Sequence, residues 1–447
     1  MFKTSQANTR GNRMVRARGF VVLTLAVFVA FACGGTSGTG SNKGTISIGV
    51  DLPESGAAAS GGLSTLNGVK FAVQQAGSLS GWTLTVENRD DAVQGAYNEA
   101  KGVQNVQDLI ANSHVVGMIG PYNSAVAKAE IPITNPVGLV MISPSNTNPC
   151  LTKDIAGCSY HPQDLRKGKP NNYFRVVATD DLQGPAAATY LYNTLKVTKL
   201  GVLDEKTVFG VGIADAMQTK FKALGGTVIR DSYDPATTVD WRNFLNKFKA
   251  AGATGFYVGG TDDKKACQPR HQFAQVGIAA WPYVGGDGIE TSQCIDDAQA
   301  GAIGLTATTA GADAGQIPAA AATITAFKQA FTGANDYGAY TMSAYDATNI
   351  EIAAIKKALA DGKDPNKLAD FREAVRANVA ATSNYAGVLG STTFDANGDT
   401  SAKIISIYSV KDVGAARAGQ GDLTCGTKAS DKTLCYVWVT QFDFAKS

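Results

Sequence analysis

The stretch that decides the fold is residues 45–73, TISIGVDLPESGAAASGGLSTLNGVKFAV. Its first six residues form a short apolar run, which predicts a buried strand. A loop containing Gly and Pro follows. Apolar side chains then recur at helical spacing, at Leu63, Leu66, Val69 and Val73. A strand, a loop and a helix in that order predict the beginning of an α/β fold.

The alternation of strand and helix continues along the first part of the chain. Apolar strands are predicted at 83–86, 114–119 and 138–142, and helical patterns separate them at 95–109 and 125–131. Strands that alternate with helices in this way predict a parallel sheet with helices on both faces.

The same pattern restarts after a polar insert at 148–173. Strands are predicted at 200–203, 227–229, 255–258 and 282–284, and helices at 212–224, 241–251 and 264–276. Helices at 319–331 and 340–359 are predicted to cover a sheet, and late strands are predicted at 404–408 and 436–439. The sequence therefore predicts two similar α/β lobes.

Composition excludes several classes of protein. The 447 residues suggest about two to three domains, and a hydrophobic fraction of 44% is enough to build cores. The five basic residues before position 33 account for the formal charge of +2, because the other 35 basic and 38 acidic side chains give −3. A net charge of −3 gives no general attraction for nucleic acid. Three histidines leave little room for a His-based metal site or relay, and no cofactor is expected.

The N-terminus has the features of an export signal. Residues 20–32 form 13 uncharged residues, about 20 Å as a helix, which is too short for a hydrocarbon core of about 30 Å. Basic residues precede this run, and the chain starts at Met1 or Met14. Cleavage before Cys33, in Ala30-Phe31-Ala32-Cys33, resembles a bacterial lipobox. We predict a signal peptide at 1–32 and a lipidated Cys33 with a flexible tether at 33–44, with plain secretion as the alternative.

The cysteines fit an oxidising compartment outside the cytoplasm. Without Cys33, six remain, and they fall into close pairs in sequence. Pairing by proximity is one of 15 connectivities, and it is the simplest prediction. The predicted disulfides are Cys150–Cys158, Cys267–Cys294 and Cys425–Cys435. Disulfides are favoured over zinc because none of the pairs has C-x2-C spacing.

The loops after the predicted strands carry residues suited to polar capture. Asn123 and Ser124 precede a helix, where a hydroxyl and free backbone N–H groups hold an anion, unless Ser124 is only a helix cap. Hydrogen-bond donors also end the next strand, at Ser145, Asn146 and Thr147. Asp287, flanked by glycines, is either a partner for a ligand ammonium or a turn residue. The simplest interpretation of 259–263, GGTDD, is capping of the helix at 264–276.

Together these segments resemble a known family. The ordered set is ISIGVDLPESGAAASGGLSTLNGVKFAVQQAG at 46–77, LTVENRDD at 84–91, VVGMIGPYNSAVAKAEIPITNPVGLVMISPSNTNP at 115–149, NYFRVVATDDLQGPAAATYL at 172–191, GFYVGG at 255–260, GGDG at 285–288, SAYDA at 343–347 and TTFDANGD at 392–399. It is similar to branched-chain amino-acid (Leu/Ile/Val) type substrate-binding proteins of ABC transporters, which share the type I periplasmic binding protein fold. The resemblance covers most of residues 46–405.

The resemblance implies a fold of two Rossmann-like lobes. Each has a parallel sheet flanked by helices, and a three-strand hinge joins them. The implied crossings lie near 176–180, 305–310 and 387–391. The predicted domains are lobe 1 at 45–177 and 308–389, and lobe 2 at 178–307 and 390–447.

The resemblance also implies roles for residues at the cleft. Ser124, Ser145 and Thr147 match the family's carboxylate-binding loops, and Asp287 matches the acid that meets the ammonium. Phe209 matches an aromatic residue on the rim of the second lobe. Two family aromatics are replaced here, by Gly61 and Thr261, which indicates a different or larger ligand side chain. Thr261 and Asn146 are further predicted contacts, and Tyr122 and Asn123 are predicted to add contacts specific to this chain. Gln183 lines the cleft or caps a helix, and Tyr345 binds ligand or packs a helix.

The function predicted from the sequence is an extracytoplasmic receptor of an ABC importer. Hinge closure would capture an amino acid or close analogue, with an ABC permease as partner, a lipid anchor in the membrane and a monomeric state. The alternative is a sensor module of the same fold that binds an organic acid, amide or aromatic compound and signals to a partner. An enzyme is not expected, since no nucleophile elbow, zinc-protease motif or P-loop is present.

Overall fold

The computed structural model of the protein describes residues 42–333 and 335–446. The predicted signal peptide, Cys33 and most of the predicted tether lie outside the described residues. Within the described part, no helix is both long enough and apolar enough to cross a membrane.

Lobe 1 is built on a six-stranded sheet. The first strands of the chain are β1 (Thr45–Leu52), β2 (Ser78–Leu79), β3 (Trp82–Asp90), β4 (Ala92–Val93), β5 (Ala96–Tyr97), β6 (Val115–Ile119), β7 (Val140–Ser143) and β8 (Tyr173–Arg175). Six of them pair in the order β2-β3-β1-β6-β7-β8, while β4 and β5 form a small separate hairpin. All neighbours in the sheet run parallel except β2 and β3.

Lobe 2 is built on a seven-stranded sheet. The later strands are β9 (Lys199–Asp204), β10 (Thr227–Ser232), β11 (Gly255–Gly259), β12 (Tyr283–Gly285), β13 (Leu305–Thr309), β14 (Tyr385–Gly387), β15 (Gly390–Thr392), β16 (Ile404–Asp412) and β17 (Leu434–Asp443). The sheet order is β10-β9-β11-β12-β13-β16-β17, and β14 and β15 form a separate hairpin. The first five strands are parallel, and β16 and β17 add an antiparallel edge.

Helices flank both sheets, as the alternating pattern predicts. They are α1 (Ala59–Ala76), α2 (Glu99–Ala111), α3 (Ser124–Thr134), α4 (Pro162–Arg166), α5 (Asp180–Thr189), α6 (Val208–Ala223), α7 (Arg242–Ala250), α8 (Gln268–His271), α9 (Ser292–Ala298), α10 (Ala321–Ala330), α11 (Thr341–Ala360), α12 (Leu368–Ala380) and α13 (Gly414–Ala418). The predicted fold of two α/β lobes with mainly parallel sheets is confirmed.

The core of lobe 1 joins the start of the chain to a helix nearly 300 residues later. Ile48 and Val50 of β1 are fully buried with Leu66 and Val69 of α1, and Ile355 of α11 belongs to the same apolar cluster. The helical spacing predicted for α1 is confirmed. Leu63 is the exception, since it is 43% exposed and faces outward.

A glycine permits the close crossing of α1 and α11. A Cβ added to Gly68 would lie 2.0 Å from the carbonyl oxygen of Thr341 and 3.2 Å from the Cβ of Ala344. The first distance is shorter than any van der Waals contact, so a side chain at this position would push the two helices apart.

We therefore expect Gly68→Ala to lower the free energy of unfolding by about 1–3 kcal/mol, because overpacking outweighs the gain in helix propensity. Urea denaturation would measure the change. Gly311→Ala is the control, since nothing lies within 4 Å of a Cβ there and its φ lies outside the left-handed region. A Gly68→Ala variant as stable as the wild type would contradict this account of the crossing.

The predicted helix at 264–276 is wrong. The chain instead forms a short 3₁₀ turn at Asp262–Lys264 and then α8. Lys265 has a left-handed φ of +70°, and Pro269 cannot donate a backbone hydrogen bond within a continuous helix. Cys267 is held by its disulfide to Cys294. These constraints outweigh the apolar spacing on which the prediction rests.

The start of α2 also differs from the prediction. The helix begins at Glu99, four residues later than the predicted start at 95. The side chain of Asn98 caps it by accepting a hydrogen bond from the backbone N–H of Lys101 at 2.9 Å. The preceding residues are used by the β4–β5 hairpin. Five helices, α4, α5, α9, α12 and α13, have no counterpart in the predicted pattern.

The chain passes between the lobes at three places. It leaves β8 and enters α5 through residues 176–179, and it leaves β13 at Thr309. On the third pass it stays beside the first sheet as far as Asp399, which bridges to Arg175 of β8, before it enters β16 at Ile404. The implied third crossing at 387–391 is earlier than this last contact, which the Arg175–Asp399 ion pair holds in place.

Candidate ligand-binding site

Loops from both lobes meet at one small cavity. The loops after β1, β6, β11 and β12 contribute its lining, and all four leave the carboxyl ends of parallel strands. Ligands of open α/β sheets bind at that end of the strands. The cavity has a volume of about 10 Å³ and is lined by Pro53, Ala58, Gly61, Tyr122, Asn123, Thr261, Asp262, Asp263, Gly288 and Thr291.

On the lobe 1 side, the donors predicted after β7 hold the neighbouring loop. The hydroxyl of Ser145 and the Nδ2 of Asn146 both donate to the carbonyl oxygen of Tyr122, at 2.8 and 2.6 Å. Tyr173 donates to the Oδ1 of Asn146 at 2.8 Å. These two predicted ligand contacts therefore use their side chains to tie the loop after β7 to the loop after β6.

Ser124 lies at the first helical position of α3, and Asn123 occupies the N-cap without a side-chain cap bond. The interpretation of Ser124 as only a cap is therefore wrong. Its Oγ accepts a hydrogen bond from the backbone N–H of Asn148 at 3.3 Å, and the residue is 3% exposed. Thr147 is also buried and lies in the same loop as Asn148. The two predicted carboxylate loops are thus brought together at the N-terminus of α3.

Arg175 supports these loops from beneath and is fully buried. Its Nη1 donates to the carbonyl oxygens of Asn148 and Asn146, at 2.7 and 3.2 Å. Its Nε donates to the Oδ1 of Asp399 at 2.7 Å. One guanidinium therefore fixes the backbone of the loop after β7 and pairs with a carboxylate 224 residues later.

Asp287 follows β12 of lobe 2 and is the second anchor that the sequence predicts. Its Oδ1 accepts a hydrogen bond from the Nε2 of Gln183 at 2.5 Å, and its Oδ2 accepts one from the hydroxyl of Tyr340 at 2.6 Å. Tyr340 directly precedes α11, which packs on lobe 1. Burial raises the pKa of Asp287, and the two hydrogen bonds oppose that rise. The residue therefore joins both lobes, and Gln183 holds its carboxylate from within lobe 2.

Phe209 lies against the glycine-rich backbone on each side of Asp287. A Cβ added to Gly286 would be 3.2 Å from the Phe209 ring, and one added to Gly288 would be 3.0 Å from it. The ring is 7% exposed. Phe209 is thus brought to the site, but it packs beneath the acidic loop instead of standing open at the rim.

Tyr122 occupies the space left by the missing side chain at Gly61. A Cβ added to Gly61 would lie 2.7 Å from the Tyr122 hydroxyl. The Tyr122 ring also meets the ring of Tyr340 edge-on, with centroids 5.8 Å apart. The aromatic wall that the family resemblance places in the first loop is therefore supplied here from the loop after β6.

Asp262 is a site residue that the sequence analysis missed. Its Oδ2 accepts hydrogen bonds from the hydroxyl of Ser60 at 2.8 Å and from the hydroxyl of Thr291. Burial raises the pKa of Asp262 to about 7, and the nearby charge of Asp263 adds to this rise. The GGTDD segment resembles a helix cap in sequence. However, it follows β11 just as GGDG, which contains Asp287, follows β12, and this similarity could have identified Asp262 as a site residue.

Thr261 lines the cavity beside a buried acid. The backbone N–H of Thr261 donates to the Oε2 of Glu205 at 2.7 Å, and the hydroxyl of Thr207 donates to the Oε1 at 2.7 Å. Burial raises the pKa of Glu205 to about 8. Thr261 stands where the family resemblance places an aromatic residue, and Glu205 fixes its backbone.

Several hydrogen bonds connect the two lobes directly. Besides Ser60–Asp262 and Tyr340–Asp287, the backbone N–H of Tyr97 donates to the Oδ2 of Asp263 at 3.1 Å. Lys264 donates to the carbonyl oxygen of Tyr97 at 3.1 Å, and its ammonium lies 4.1 Å from the centre of the Tyr97 ring. The two lobes are therefore in contact across the cleft, which explains the small cavity.

Of the predicted contacts, Tyr122, Asn123 and Thr261 line this cavity, whereas Tyr345 packs against a helix of lobe 1. Its hydroxyl donates to the Oε1 of Gln75 at 2.6 Å, and its ring packs 5.4 Å from that of Phe71. Both partners belong to α1, so of its two interpretations the structure favours helix packing.

The three disulfides pair as predicted. They join Cys150 to Cys158, Cys267 to Cys294, and Cys425 to Cys435. The second one connects the segment after Asp262 to the segment after Asp287, so that it ties together two loops that line the cavity. Such a bridge limits the conformations open to both loops before a ligand arrives.

Comparison with known proteins identifies the family. The model of the periplasmic binding protein family matches residues 45–415, and the chain belongs to that family. A Leu/Ile/Val-binding protein homolog 1 of Brucella abortus is 28% identical over 393 residues, which are 85% of this chain and 92% of that protein.

Solved structures share the fold. The leucine binding protein LivK of Thermotoga maritima superposes with a TM-score of 0.72 at 21% identity, covering 90% of this chain and all of that one. The branched-chain amino acid substrate binding protein LivJ of Streptococcus pneumoniae, in complex with isoleucine, has a TM-score of 0.69 at 23% identity. The match covers 88% of this chain and all of that one. The family is one of ligand-binding receptors and not of enzymes.

Proposed function

We propose that this protein is the substrate-binding receptor of an ABC importer and that it captures an amino acid or close analogue between its lobes. The observation that carries the proposal is that each lobe carries one of two unlike anchors in a loop at the carboxyl ends of its parallel strands. The N-terminus of α3 with Ser124 lies on one lobe and Asp287 on the other. A helix N-terminus favours a carboxylate, and a buried carboxylate favours an ammonium. The names of the relatives support the same ligand class.

Binding would proceed by closure of the lobes. In the proposed complex, the Ser124 hydroxyl and the backbone N–H groups that begin α3 hold the ligand carboxylate. Asp287 accepts hydrogen bonds from the ammonium beside those it receives from Gln183 and Tyr340, because each carboxylate oxygen accepts more than one. The closed form, which differs in surface from the open one, is what a permease would recognise.

The organisation around this body is proposed from the sequence. Residues 1–32 are the signal peptide and 33–44 the tether with lipidated Cys33, so that the receptor is anchored outside the cytoplasm. Lobe 1 is proposed to take up 45–177 and 308–389 and lobe 2 to take up 178–307 and 390–447, except that 390–399 remain with lobe 1, where Asp399 pairs with Arg175. The protein is proposed to act as a monomer. Mass spectrometry of the protein from membranes tests the anchor, since an unmodified Cys33 would contradict it.

A thermal-shift screen tests the proposed function. Free α-amino acids, their amides, aromatic acids, short diacids and sugars are added to the oxidised protein. A ligand present at 100 times its dissociation constant adds about 2.7 kcal/mol to the free energy of unfolding, a shift of several degrees. We expect amino acids to raise the melting temperature. Stabilisation only by sugars or by acids without an amine would refute the proposed ligand class.

Removal of one hydroxyl tests the carboxylate anchor. Ser124→Ala is expected to weaken binding of the amino acid by about 1.5–3 kcal/mol, because it removes a hydrogen bond to a charged group. Calorimetric titration gives the dissociation constant. Ser383→Ala, at an exposed position in the loop before β14, is the matched control. Equal affinities of Ser124→Ala and the control would remove Ser124 from the site.

A further inference from the structure

The cavity between the lobes is rich in hydrogen-bond acceptors at the end formed by the loops after β6 and β11. Asp262 and Asp263 line it from lobe 2, and Asn123 lines it from lobe 1. Asn123 is 92% buried, and its Oδ1 accepts no hydrogen bond within the described residues. A buried amide oxygen without a donor is costly, so its presence in a cavity points to a ligand that supplies one.

The charges around the cavity are of one sign. Burial raises the pKa of Tyr122, and the carboxylates of Asp287, Asp262, Glu290 and Asp263 raise it further because they surround its hydroxyl. Lys264 is close to Asp263, but its ammonium is engaged with the carbonyl oxygen and ring of Tyr97. Asp262 receives hydrogen bonds from Ser60, Thr291 and the backbone of Asp263, all of them neutral donors. A positive charge in the cavity would offset this field.

The donors that the cavity lacks match an ammonium group. With the lobes in contact the cavity has a volume of about 10 Å³, room for roughly one water-sized group. An ammonium group is of that size and carries three donors, whereas the branched end of a leucine side chain carries none. Ser124 and Asp287 do not belong to the lining, so the rest of the ligand enters when the cleft opens.

We propose that this cavity binds an ammonium group at the end of the ligand's side chain, so that the receptor takes diamino acids such as lysine or ornithine instead of branched-chain amino acids. Asn123 Oδ1 and the carboxylate of Asp262 are its acceptors. The proposal rests on the proposed function, since the α-carboxylate and α-ammonium are assigned to Ser124 and Asp287.

The experiment compares ligands that differ in one group. Titration calorimetry at pH 8 measures the affinity for lysine, for ornithine and for 2-aminoheptanoate, in which a methyl group replaces the ammonium of lysine. Leucine is measured beside them. We expect lysine or ornithine to bind at least tenfold more tightly than 2-aminoheptanoate and leucine.

Variants assign the preference to the cavity. Asn123→Ala and Asp262→Asn are each expected to reduce the ratio of the affinity for the diamino acid to that for 2-aminoheptanoate tenfold or more. The ratio separates loss of the ammonium site from a general effect on closure of the lobes. Asp346→Asn, a buried acid that accepts backbone hydrogen bonds from Val388 and Leu389 in lobe 1, is the control. Thermal melts show which variants are folded, and either one of the two suffices for the comparison.

The outcomes separate this inference from the proposed function. Tighter binding of leucine or 2-aminoheptanoate than of lysine and ornithine overturns the inference and leaves the amino-acid receptor standing. A preference for the diamino acids that survives both Asn123→Ala and Asp262→Asn also overturns the assignment to this cavity. Absence of binding by any free amino acid refutes the proposed function itself.

Discussion

Replacement of Arg175 by Met is expected to lower the free energy of unfolding by about 3–5 kcal/mol, because it leaves a buried carboxylate without its partner. Arg175 is fully buried, and Asp399 is 6% exposed. Burial alone would raise the pKa of Asp399, but the guanidinium of Arg175 holds it below its usual value. Without Arg175 the carboxylate loses its main counter-charge, because the ammonium of Lys153 lies 3.7 Å away and is shared with Asp181.

The same substitution should weaken ligand binding. The carbonyl oxygens of Asn146 and Asn148 lose the donor that fixes them, and their loop carries Thr147 and contacts Ser124. Urea denaturation measures the stability, and calorimetric titration measures the affinity. We expect both to fall together, since one guanidinium serves the ion pair and the loop.

A double-mutant cycle isolates the ion pair from the loss of packing. Arg175→Met combined with Asp399→Asn should be more stable than Arg175→Met alone, because the unpaired buried charge is gone. Arg376→Met is a control, since Arg376 is also largely buried but pairs with the more exposed Glu373. A loss of less than about 1 kcal/mol in Arg175→Met would show that the pair is dispensable.

The parts of the site that follow strands could be predicted from the sequence. Ser124 and Asp287 lie in or at the end of loops that follow apolar runs, and parallel strands bring their carboxyl ends to one edge of the sheet. Local sequence was also sufficient for the disulfides, because each pair is close in the chain. Periodicity correctly located most helices, although Leu63 shows that an apolar residue at the right spacing can still face solvent.

The contacts that close the cleft could not be predicted in this way. Tyr340 reaches Asp287 from 53 residues away, and Ser60 reaches Asp262 across 202 residues. Such pairs depend on how two separately folded lobes meet, which no local pattern encodes. Tyr345 shows the converse, since its place in a matching motif suggested a ligand contact while its side chain packs on α1.

The missing aromatic at Gly61 is a third case. From the sequence, its loss indicates a different or larger ligand side chain, but the side chain of Tyr122 occupies the space in the structure. The same part of a pocket wall can be formed by a side chain from a different loop, so the loss of one aromatic residue does not by itself open the pocket. Specificity therefore has to be inferred from the groups that surround the cavity together.

The stability of the protein is expected to fall as pH rises from 5 to 8. Asp51, Asp91 and Glu130 form a cluster at the carboxyl end of β1, and each is fully buried. Asn105 donates a hydrogen bond to the Oδ1 of Asp51 at 2.7 Å. Burial raises the pKa of Asp51 to about 7, and burial together with the neighbouring carboxylates raises the pKa of Asp91 and of Glu130.

The sign of the effect follows from where each state loses its proton. In the unfolded chain these acids ionise near pH 4, while in the folded protein they keep protons to a higher pH. Their contribution to stability is therefore complete below about pH 4 and is lost as pH rises through the folded-state pKa of about 7 for Asp51. One pKa unit is worth about 1.4 kcal/mol, so we expect a loss of about 2 kcal/mol or more between pH 5 and 8.

Urea denaturation at pH 5, 6, 7 and 8 measures this slope. Glu130→Gln should flatten it, because the glutamine cannot ionise and leaves Asp51 a neutral neighbour. Asp361→Asn, which removes an exposed carboxylate paired with Lys357, should leave the slope unchanged. Asp262 and Glu205, the acids of the cleft, are present in both variants. A difference between the two variants in how stability depends on pH therefore arises from the cluster in lobe 1. A slope in Glu130→Gln equal to that of the wild type would show that this cluster ionises freely in the folded protein.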